Sequence, residues 1–291
     1  MISVIITTYN RCSMLKEAIE SVLSQSCVEI EILVMDDCST DGTSEMMKNY
    51  PNIRYFRNNN NKGPGFNRKV GYNNSNGEYL VFMDDDDYYI NNCFYKSAIQ
   101  KFNEYPDLSF VSGNAYVKRE RSQELIFSKL NVSGFINSNE YINEFQITKN
   151  KPYSTFTTIF RKKCLDDADL QNMKMVNDSS IYLRALLTGH SYILDEFIGV
   201  YRVHSNNISK GVSPQFLIKN LEEKEYILNH DRGKIANKNG WWKSQFSLTY
   251  KYFLKGNPMI SDKREILKWG MKHLNGSPSL CLFIFRQYWR L

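Results

Sequence analysis

Ser3-Val4-Ile5-Ile6-Thr7-Thr8-Tyr9-Asn10 and, further on, Ile30-Glu31-Ile32-Leu33-Val34-Met35-Asp36-Asp37 are the segments that decide the fold. Each is a run of β-branched and aliphatic residues that stops abruptly at polar ones. Such runs suit strands of a parallel sheet, because helices cover both faces and leave neither wet. Between them Leu15, Ala18, Ile19, Val22 and Leu23 recur at helical spacing up to about Gln25, which predicts a helix with one apolar face. The whole reads as a βαβ unit. Ser39-Thr40-Asp41-Gly42 then supplies cap and turn residues for the next helix.

The alternation continues outward from this unit. Ile53 to Arg57 suits a short strand, Asn58 to Gly65 a polar loop, and Phe66 to Tyr72 the start of a helix. Tyr79 to Met83 is another apolar strand, ending in Asp84-Asp85-Asp86-Asp87. Strands alternating with helices predict an α/β fold with a doubly wound, mostly parallel sheet. Later segments are less regular: a strand at Leu108–Val117, a polar stretch over 118–150, a strand near Thr157–Phe160, a helix near Ser179–Leu187, and extended chain from Tyr192 to Val203. From Pro214 the pattern turns to long helices, with Trp241-Trp242 and a basic aromatic tail, Phe285-Arg286-Gln287-Tyr288-Trp289-Arg290. We divide the chain into a main domain, 1–213, and a helical C-terminal region, 214–291.

Composition narrows the function classes. At about 150 residues per domain, 291 residues make one large domain or two smaller ones. Hydrophobic residues at 42% and charged residues at 23% are ordinary for a globular chain and exclude disorder. A net charge of +6 is too weak to argue for nucleic acid, but it permits contact with phosphate ligands or anionic lipid. The cysteines at 12, 27, 38, 93, 164 and 281 form no CxxC pair, so a reduced, cytoplasmic chain is expected. Met1 to Asn10 has no basic n-region, and no stretch approaches the roughly 20 apolar residues of a membrane span.

In open α/β sheets ligands bind beyond the carboxyl ends of the strands. Thr7-Thr8-Tyr9-Asn10, Asp36-Asp37 and Asp84 to Asp87 all fall at such ends. Four adjacent carboxylates repel one another unless a cation neutralises them, and oxygen ligands suit Mg²⁺ or Mn²⁺. The plain alternative is a solvated acidic turn. Asp36-Asp37 reads equally as a helix cap, Arg68-Lys69 as a diphosphate grip or an exposed basic face, and Tyr9 as a stacking platform or a core plug. Spacing alone makes Asp178, after Asn177, a helix N-cap. His204 follows a strand and is a metal-ligand candidate on residue type only.

Together, Ser3 to Asn10, then Asp36-Asp37-Cys38-Ser39-Thr40-Asp41-Gly42-Thr43, then Phe82-Met83-Asp84-Asp85-Asp86-Asp87 resemble the family 2 glycosyltransferases. The resemblance covers about the first 210 residues. It implies the GT-A fold, a nucleotide-sugar donor and inversion at the anomeric centre. It places Thr7, Tyr9 and Asp37 in the pocket for the donor's base, with Asp37 accepting the uracil N3–H and so favouring UDP. Arg68 matches the family's arginine after the Gly-rich loop, whereas Lys69 stands where asparagine is usual. Asp84-x-Asp86 corresponds to the DxD motif, with Asp85 near the ribose and Asp86 as the ligand of Mn²⁺ or Mg²⁺. The family usually has Glu-Asp at Asn177-Asp178; the second position is the base, which assigns that role to Asp178. His204, in Tyr201-Arg202-Val203-His204, matches a late element that helps hold metal or diphosphate.

The expected activity is metal-assisted transfer of a sugar to a hydroxyl of a saccharide or lipid-linked oligosaccharide in surface-polysaccharide synthesis, at the inner face of the cell membrane. Inversion needs one carboxylate to take the acceptor proton, while a divalent ion neutralises the departing diphosphate. The alternative is a catalytically weak GT-A-like partner or scaffold of another transferase, which Asn177 and Lys69 keep open. A sugar-1-phosphate nucleotidyltransferase needs a Gly-rich loop after the first strand, and Thr8-Tyr9-Asn10-Arg11 is not one. The apolar residues Trp241, Trp242, Phe246, Tyr250, Tyr252, Phe253, Leu282, Phe283, Phe285 and Trp289 suit a membrane surface, a dimer interface or packing on the main domain. The sugar pocket is expected around Ser112-Gly113-Asn114 and the 118–150 loop.

Overall fold

The computed structural model describes residues 1–26, 28–119, 124–173, 177–203 and 213–290. Its strands are β1 (Ile2–Thr8), β2 (Ile30–Asp36), β3 (Arg54–Arg57), β4 (Tyr79–Asp84), β5 (Tyr88–Tyr89), β6 (Leu108–Arg119), β7 (Leu125–Ser128), β8 (Gly134–Ile136), β9 (Thr158–Arg161) and β10 (His190–Val203). Its helices are α1 (Cys12–Leu23), α2 (Thr43–Met47), α3 (Pro64–Asn74), α4 (Phe94–Glu104), α5 (Ser138–Glu144), α6 (Lys162–Asp167), α7 (Asp178–Thr188), α8 (Pro214–Asn229), α9 (Lys238–Leu254), α10 (Ile260–Lys272) and α11 (Pro278–Tyr288).

The ten strands form one sheet in the order β3-β2-β1-β4-β9-β6-β10-β5, with β7 beside β6 and β8 beside β10. β3, β2, β1 and β4 are mutually parallel, as is the long β6–β10 pair. β9 runs antiparallel between the two blocks, a reversal that its short apolar pattern does not encode. The 118–150 stretch, read from sequence as polar chain, contains β7, β8 and α5.

From β1 the chain steps outward to β2 and β3, then jumps back across β1 to β4. This reversal is the topological switch point where such sheets open a crevice. Register puts the polar strand ends there together: Thr7 lies opposite Met35 on one side and Asp84 on the other, and Thr8 lies opposite Asp36.

Both faces of β1 are buried. Val4 and Ile6 join one core with Leu15, Ala18 and Phe94, while Ile5 joins a second with Phe82, Phe110 and Tyr182. α3 comes so close to β1 that a Cβ on Gly71 would meet Ile5 Cγ2 at 2.3 Å. Leu217, Trp242, Phe246 and Ile284 of the C-terminal helices belong to the same core as Ile5. Trp241 Nε1 donates to the Ile142 carbonyl (2.8 Å) and Gln245 Nε2 to that of Phe145 (2.9 Å), tying α9 to α5. Trp241, Trp242, Phe246, Tyr250 and Phe253 are all buried, so packing on the main domain, not a membrane surface, explains them. Among the described residues no helix is long and apolar enough to cross a membrane.

Candidate functional site

The crevice at the switch point opens into a cleft of about 940 Å³. Its first wall comes from the strand ends. Thr7 Oγ1 donates to Asp84 Oδ1 (3.0 Å) and Thr8 Oγ1 to Asp85 Oδ2 (2.6 Å), so the end of β1 grips the end of β4. Asn10, with φ of 53°, turns back to accept from the Thr40 backbone N–H through its side chain (2.7 Å). The neighbouring Arg11 then reaches Asp85 and Asp86, each at 2.9 Å.

The aspartate row divides its work. Asp84, Asp85 and Asp86 line the cleft, while Asp87 is buried behind them, accepting from Ser154 Oγ (3.4 Å) and the Arg202 backbone N–H (3.3 Å). Burial, reinforced by the charges of Asp86 and Asp84, pushes Asp87 well above the usual carboxylate range. Burial also pushes Asp85 up to about 7, against the lowering pull of Arg11 and Thr8. Both shifts have the direction that burial and the mutual repulsion of adjacent carboxylates dictate. Asp85, expected near the ribose, spends its oxygens on Thr8, Tyr9 and Arg11.

Asp36 and Asp37 separate in the same way. Asp36 is fully buried, held by the Tyr55 hydroxyl and the Ser39 backbone N–H (2.8 Å). Asp37 lines the cleft and accepts from the backbone N–H groups of Lys62 and Gly63, both at 2.8 Å, and from Asn58 Nδ2 (2.9 Å). Burial works against its charge, yet these donors outweigh it and hold its carboxyl below the ordinary value. The loop that supplies them turns at Gly63 (φ 85°) and enters α3 with Pro64 at its first turn. Tyr9, 47% exposed, stands at the rim.

Arg68 is the hinge of the arrangement. It is 7% exposed, and its guanidinium spans two carboxylates: Nη2 to Asp84 Oδ1 at 2.9 Å and Nη1 to Asp178 Oδ1 at 3.0 Å. Burial disfavours its charge, but Asp84 and Asp178 overcome this and raise it above its ordinary value. Lys69, read beside Arg68 as a diphosphate grip, does not line the cleft; it lies in a separate depression with Tyr72 and Asp166.

The cap at the start of α7 is Asn177, not Asp178. The Asn177 side chain accepts from the Ser180 backbone N–H at 3.0 Å, which leaves the Asp178 carboxylate in the first turn to face Arg68 and, at 4.0 Å, Lys151 Nζ. Lys151 is anchored on the carbonyls of Pro152 (2.9 Å) and Tyr153 (3.2 Å). His204 lies outside the described residues.

The second wall matches the expected sugar pocket in part: Gln146, from the 118–150 stretch, lines the cleft, whereas Ser112 and Asn114 are used elsewhere. Ser112 is turned inward to the Thr157 carbonyl (3.0 Å), and the Asn114 side chain caps the Leu130 N–H (2.8 Å); neither lines the cleft. Phe216, Asn220 and Lys224 of α8, with Leu248, Thr249 and Tyr252 of α9, line it beside Gln146. Arg11, Lys151 and Lys224 are site residues that sequence reading missed. Only Arg11 carried a signal, its place directly after the polar end of β1.

Residues 3–168, more than half of the chain, match the model of glycosyl transferase family 2. The chain belongs to that family. This glycosyltransferase is 28% identical over 218 residues to a GalNAc(5)-diNAcBac-PP-undecaprenol beta-1,3-glucosyltransferase of Campylobacter jejuni, covering 73% of this chain and 68% of that protein. It is 26% identical over 219 residues to the UDP-Glc:alpha-D-GlcNAc-diphosphoundecaprenol beta-1,3-glucosyltransferase WfaP of Escherichia coli, covering 72% and 80%. An uncharacterized glycosyltransferase of Rickettsia felis is 40% identical over 131 residues, 44% of this chain but 20% of that longer protein. Among solved structures, S. aureus TarS 1–349 in complex with UDP-GlcNAc superposes with a TM-score of 0.71 at 22% identity, covering 92% of this chain and 78% of that one. At that identity the likeness is one of fold, and the expected α/β, GT-A architecture is the fold of this enzyme.

Proposed function

We propose that this glycosyltransferase moves a hexosyl group from a UDP-sugar to a hydroxyl of a saccharide or lipid-linked acceptor, with inversion and with Asp178 as base. The observation that carries the reading is the Arg68 bridge, which fixes a strand-end carboxylate, Asp84, and a helix-start carboxylate, Asp178, on one guanidinium inside one cleft. Its 940 Å³ suits a nucleotide sugar. UDP-GlcNAc in the TarS complex and UDP-Glc in the name of WfaP support a uridine donor. Undecaprenol diphosphate in two relatives' names supports a lipid-linked acceptor.

The steps follow from the side chains. The Asp37 carboxylate, ordered by backbone N–H donors, accepts the imide N–H of the base. Asp178 takes the acceptor's proton as that oxygen attacks the anomeric carbon; the bond to the diphosphate breaks, and its electron pair leaves with the nucleoside diphosphate. Unlike a hydrolase with two carboxyl groups in acid and base roles, one base then suffices. Arg68 holds Asp178 in place.

Asp86 fits a divalent cation, Mn²⁺ or Mg²⁺: it is an oxygen donor at the strand end that already draws the Arg11 cation, and such ions need only one or two carboxylates beside substrate phosphates, while both Asp84 oxygens accept from Arg68. When bound, the ion supplies neutralisation of charge on the leaving diphosphate. The departure at 69 lies outside the cleft, while Asn177 both caps α7 and lines the cleft beside Asp178.

The same reading puts α11 on an anionic lipid surface. Leu282, Phe285 and Trp289 are 51%, 55% and 76% exposed, beside the exposed Arg286 and Arg290.

The test is thermal stabilisation by a panel of nucleotide sugars, with and without Mn²⁺, for wild type and Asp86→Ala. A ligand at a hundred times its Kd adds about 2.7 kcal/mol. A metal-dependent shift with a uridine sugar, lost in the variant, is expected. No shift with any nucleotide sugar would overturn the donor-site assignment.

A further inference from the structure

The wall of the cleft built by α8 has a chemistry of its own. Phe216, Asn220 and Lys224 follow at four-residue spacing, so they share one face of the helix, and all three line the cleft. Exposure along this stripe falls from 39% at Phe216 to 4% at Lys224. An aromatic ring marks the mouth and an amine the floor. Tyr252 of α9, 45% exposed, is a second ring at the mouth.

Lys224 Nζ donates to Thr249 Oγ1 at 2.5 Å, and that hydroxyl in turn donates to the Gln245 carbonyl at 2.8 Å. Among the described residues no carboxylate pairs with Lys224, and burial pulls its amine down to about 7. α8 treats the adjacent buried charge differently: Glu223 is paired with Arg184 at 2.8 Å. Four residues before Lys224, the Asn220 side-chain oxygen is buried with no hydrogen-bond partner among the described residues. A buried amine without a counter-charge and a buried carbonyl without a donor each cost stability. Both line the cleft, where a substrate could satisfy them.

We propose that this stripe is the acceptor subsite and that Lys224 is a specificity residue for an acceptor carrying an oxyanion. The assignment rests on the transferase reading above. Phe216 and Tyr252 cover the face of an acceptor sugar, Asn220 accepts from one of its hydroxyls, and Lys224 pairs with a carboxylate or phosphoryl oxygen. Two sources offer that chemistry: an acid group on the sugar ring itself, or the phosphate through which a saccharide is joined to a lipid carrier.

The experiment measures binding to the full chain saturated with UDP and Mn²⁺, using methyl β-glucoside, methyl β-glucuronide and glucose 1-phosphate. The expected result is at least tenfold tighter binding of one anionic probe than of the neutral glycoside. Preference for the glucuronide assigns the ring acid; preference for the phosphate assigns the carrier linkage. Lys224→Met should abolish the preference without changing UDP affinity, and Lys224→Arg should keep it. Equal binding of charged and neutral probes, absence of binding by all three to the UDP-loaded protein, or a preference that survives Lys224→Met overturns the proposal. Failure to bind UDP at all is a different result, and it overturns the donor site instead.

Discussion

Replacing Lys224 by methionine should make the protein more stable, and by an amount that depends on pH. The lysine is 4% exposed, without a carboxylate partner among the described residues, and burial takes its amine from an ordinary 10.5 to about 7. The unfolded chain therefore binds the proton more tightly than the folded one, and wild-type stability must rise with pH between these two values. At about 1.4 kcal/mol per pH unit, the cost of keeping this amine buried is about 4 kcal/mol at pH 7 and fades to nothing near pH 10.5. Methionine matches the stem and carries no charge. Urea unfolding of wild type and Lys224→Met, followed at pH 7, 8, 9 and 10, gives the difference curve directly. Other buried groups titrate alike in both proteins, so the difference isolates Lys224. A gain of about 4 kcal/mol that shrinks steadily with pH is expected. Parallel stability curves across this range would refute the reasoning, because they would mean that the amine is solvated or paired in the folded chain. A stabilised variant with a weakened acceptor site is the trade-off that functional residues commonly show.

Other outcomes are equally direct. Asp178→Asn should bind UDP as wild type does while sugar transfer falls by about 10²–10⁴-fold, measured as UDP released in the presence of acceptor; undiminished transfer removes Asp178 from the base role. Asn177→Ala should cost about 1 kcal/mol by loss of the α7 cap and lower kcat more than it raises the donor KM, since the helical turn that carries Asp178 loses its bond to Ser180; stability is read by urea unfolding. Gly71→Ala should destabilise by about 1–3 kcal/mol, because the new methyl would enter the Ile5 side chain; a neutral result in thermal unfolding would mean that α3 can move off β1. Trp289→Glu should reduce co-sedimentation with anionic vesicles severalfold and leave neutral vesicles unaffected; unchanged sedimentation takes α11 off the membrane.

What the sequence revealed, and what it hid, follow from the range of the forces involved. The β3-β2-β1-β4 block was legible because burial on both faces leaves continuous apolar runs such as Ile2–Thr8 and Tyr79–Asp84. Its polar strand ends were legible for the same reason, since each run stops where the crevice begins. The direction of β9 was not, because Thr158-Ile159-Phe160 reads the same parallel or antiparallel. The second wall was the larger miss. Glu222-Glu223-Lys224-Glu225 has the look of a solvated charged face, yet Glu223 and Lys224 are each 4% exposed. Only contacts between distant parts of the chain, such as Arg184 with Glu223, turn that face inward. Trp241 and Trp242 illustrate the same limit: a large aromatic in a helix carries no local mark of whether lipid or protein will cover it.

The core that α8 to α11 share with Ile5 of the first strand bears on the life of the chain before it is complete. Ribosomes add roughly 5–20 residues per second, so strands β1 to β4 emerge well ahead of the helices α8 and α9 that line the cleft. A nascent or truncated product holding only those strands would leave the cleft open to water on the side where α8 and α9 belong. It would also leave bare the apolar surface that Leu217, Trp242 and Phe246 cover. Exposed surface of that kind marks a fragment for aggregation or proteolysis. The cleft is whole only once α8 and α9 have joined it, because they supply one of its walls.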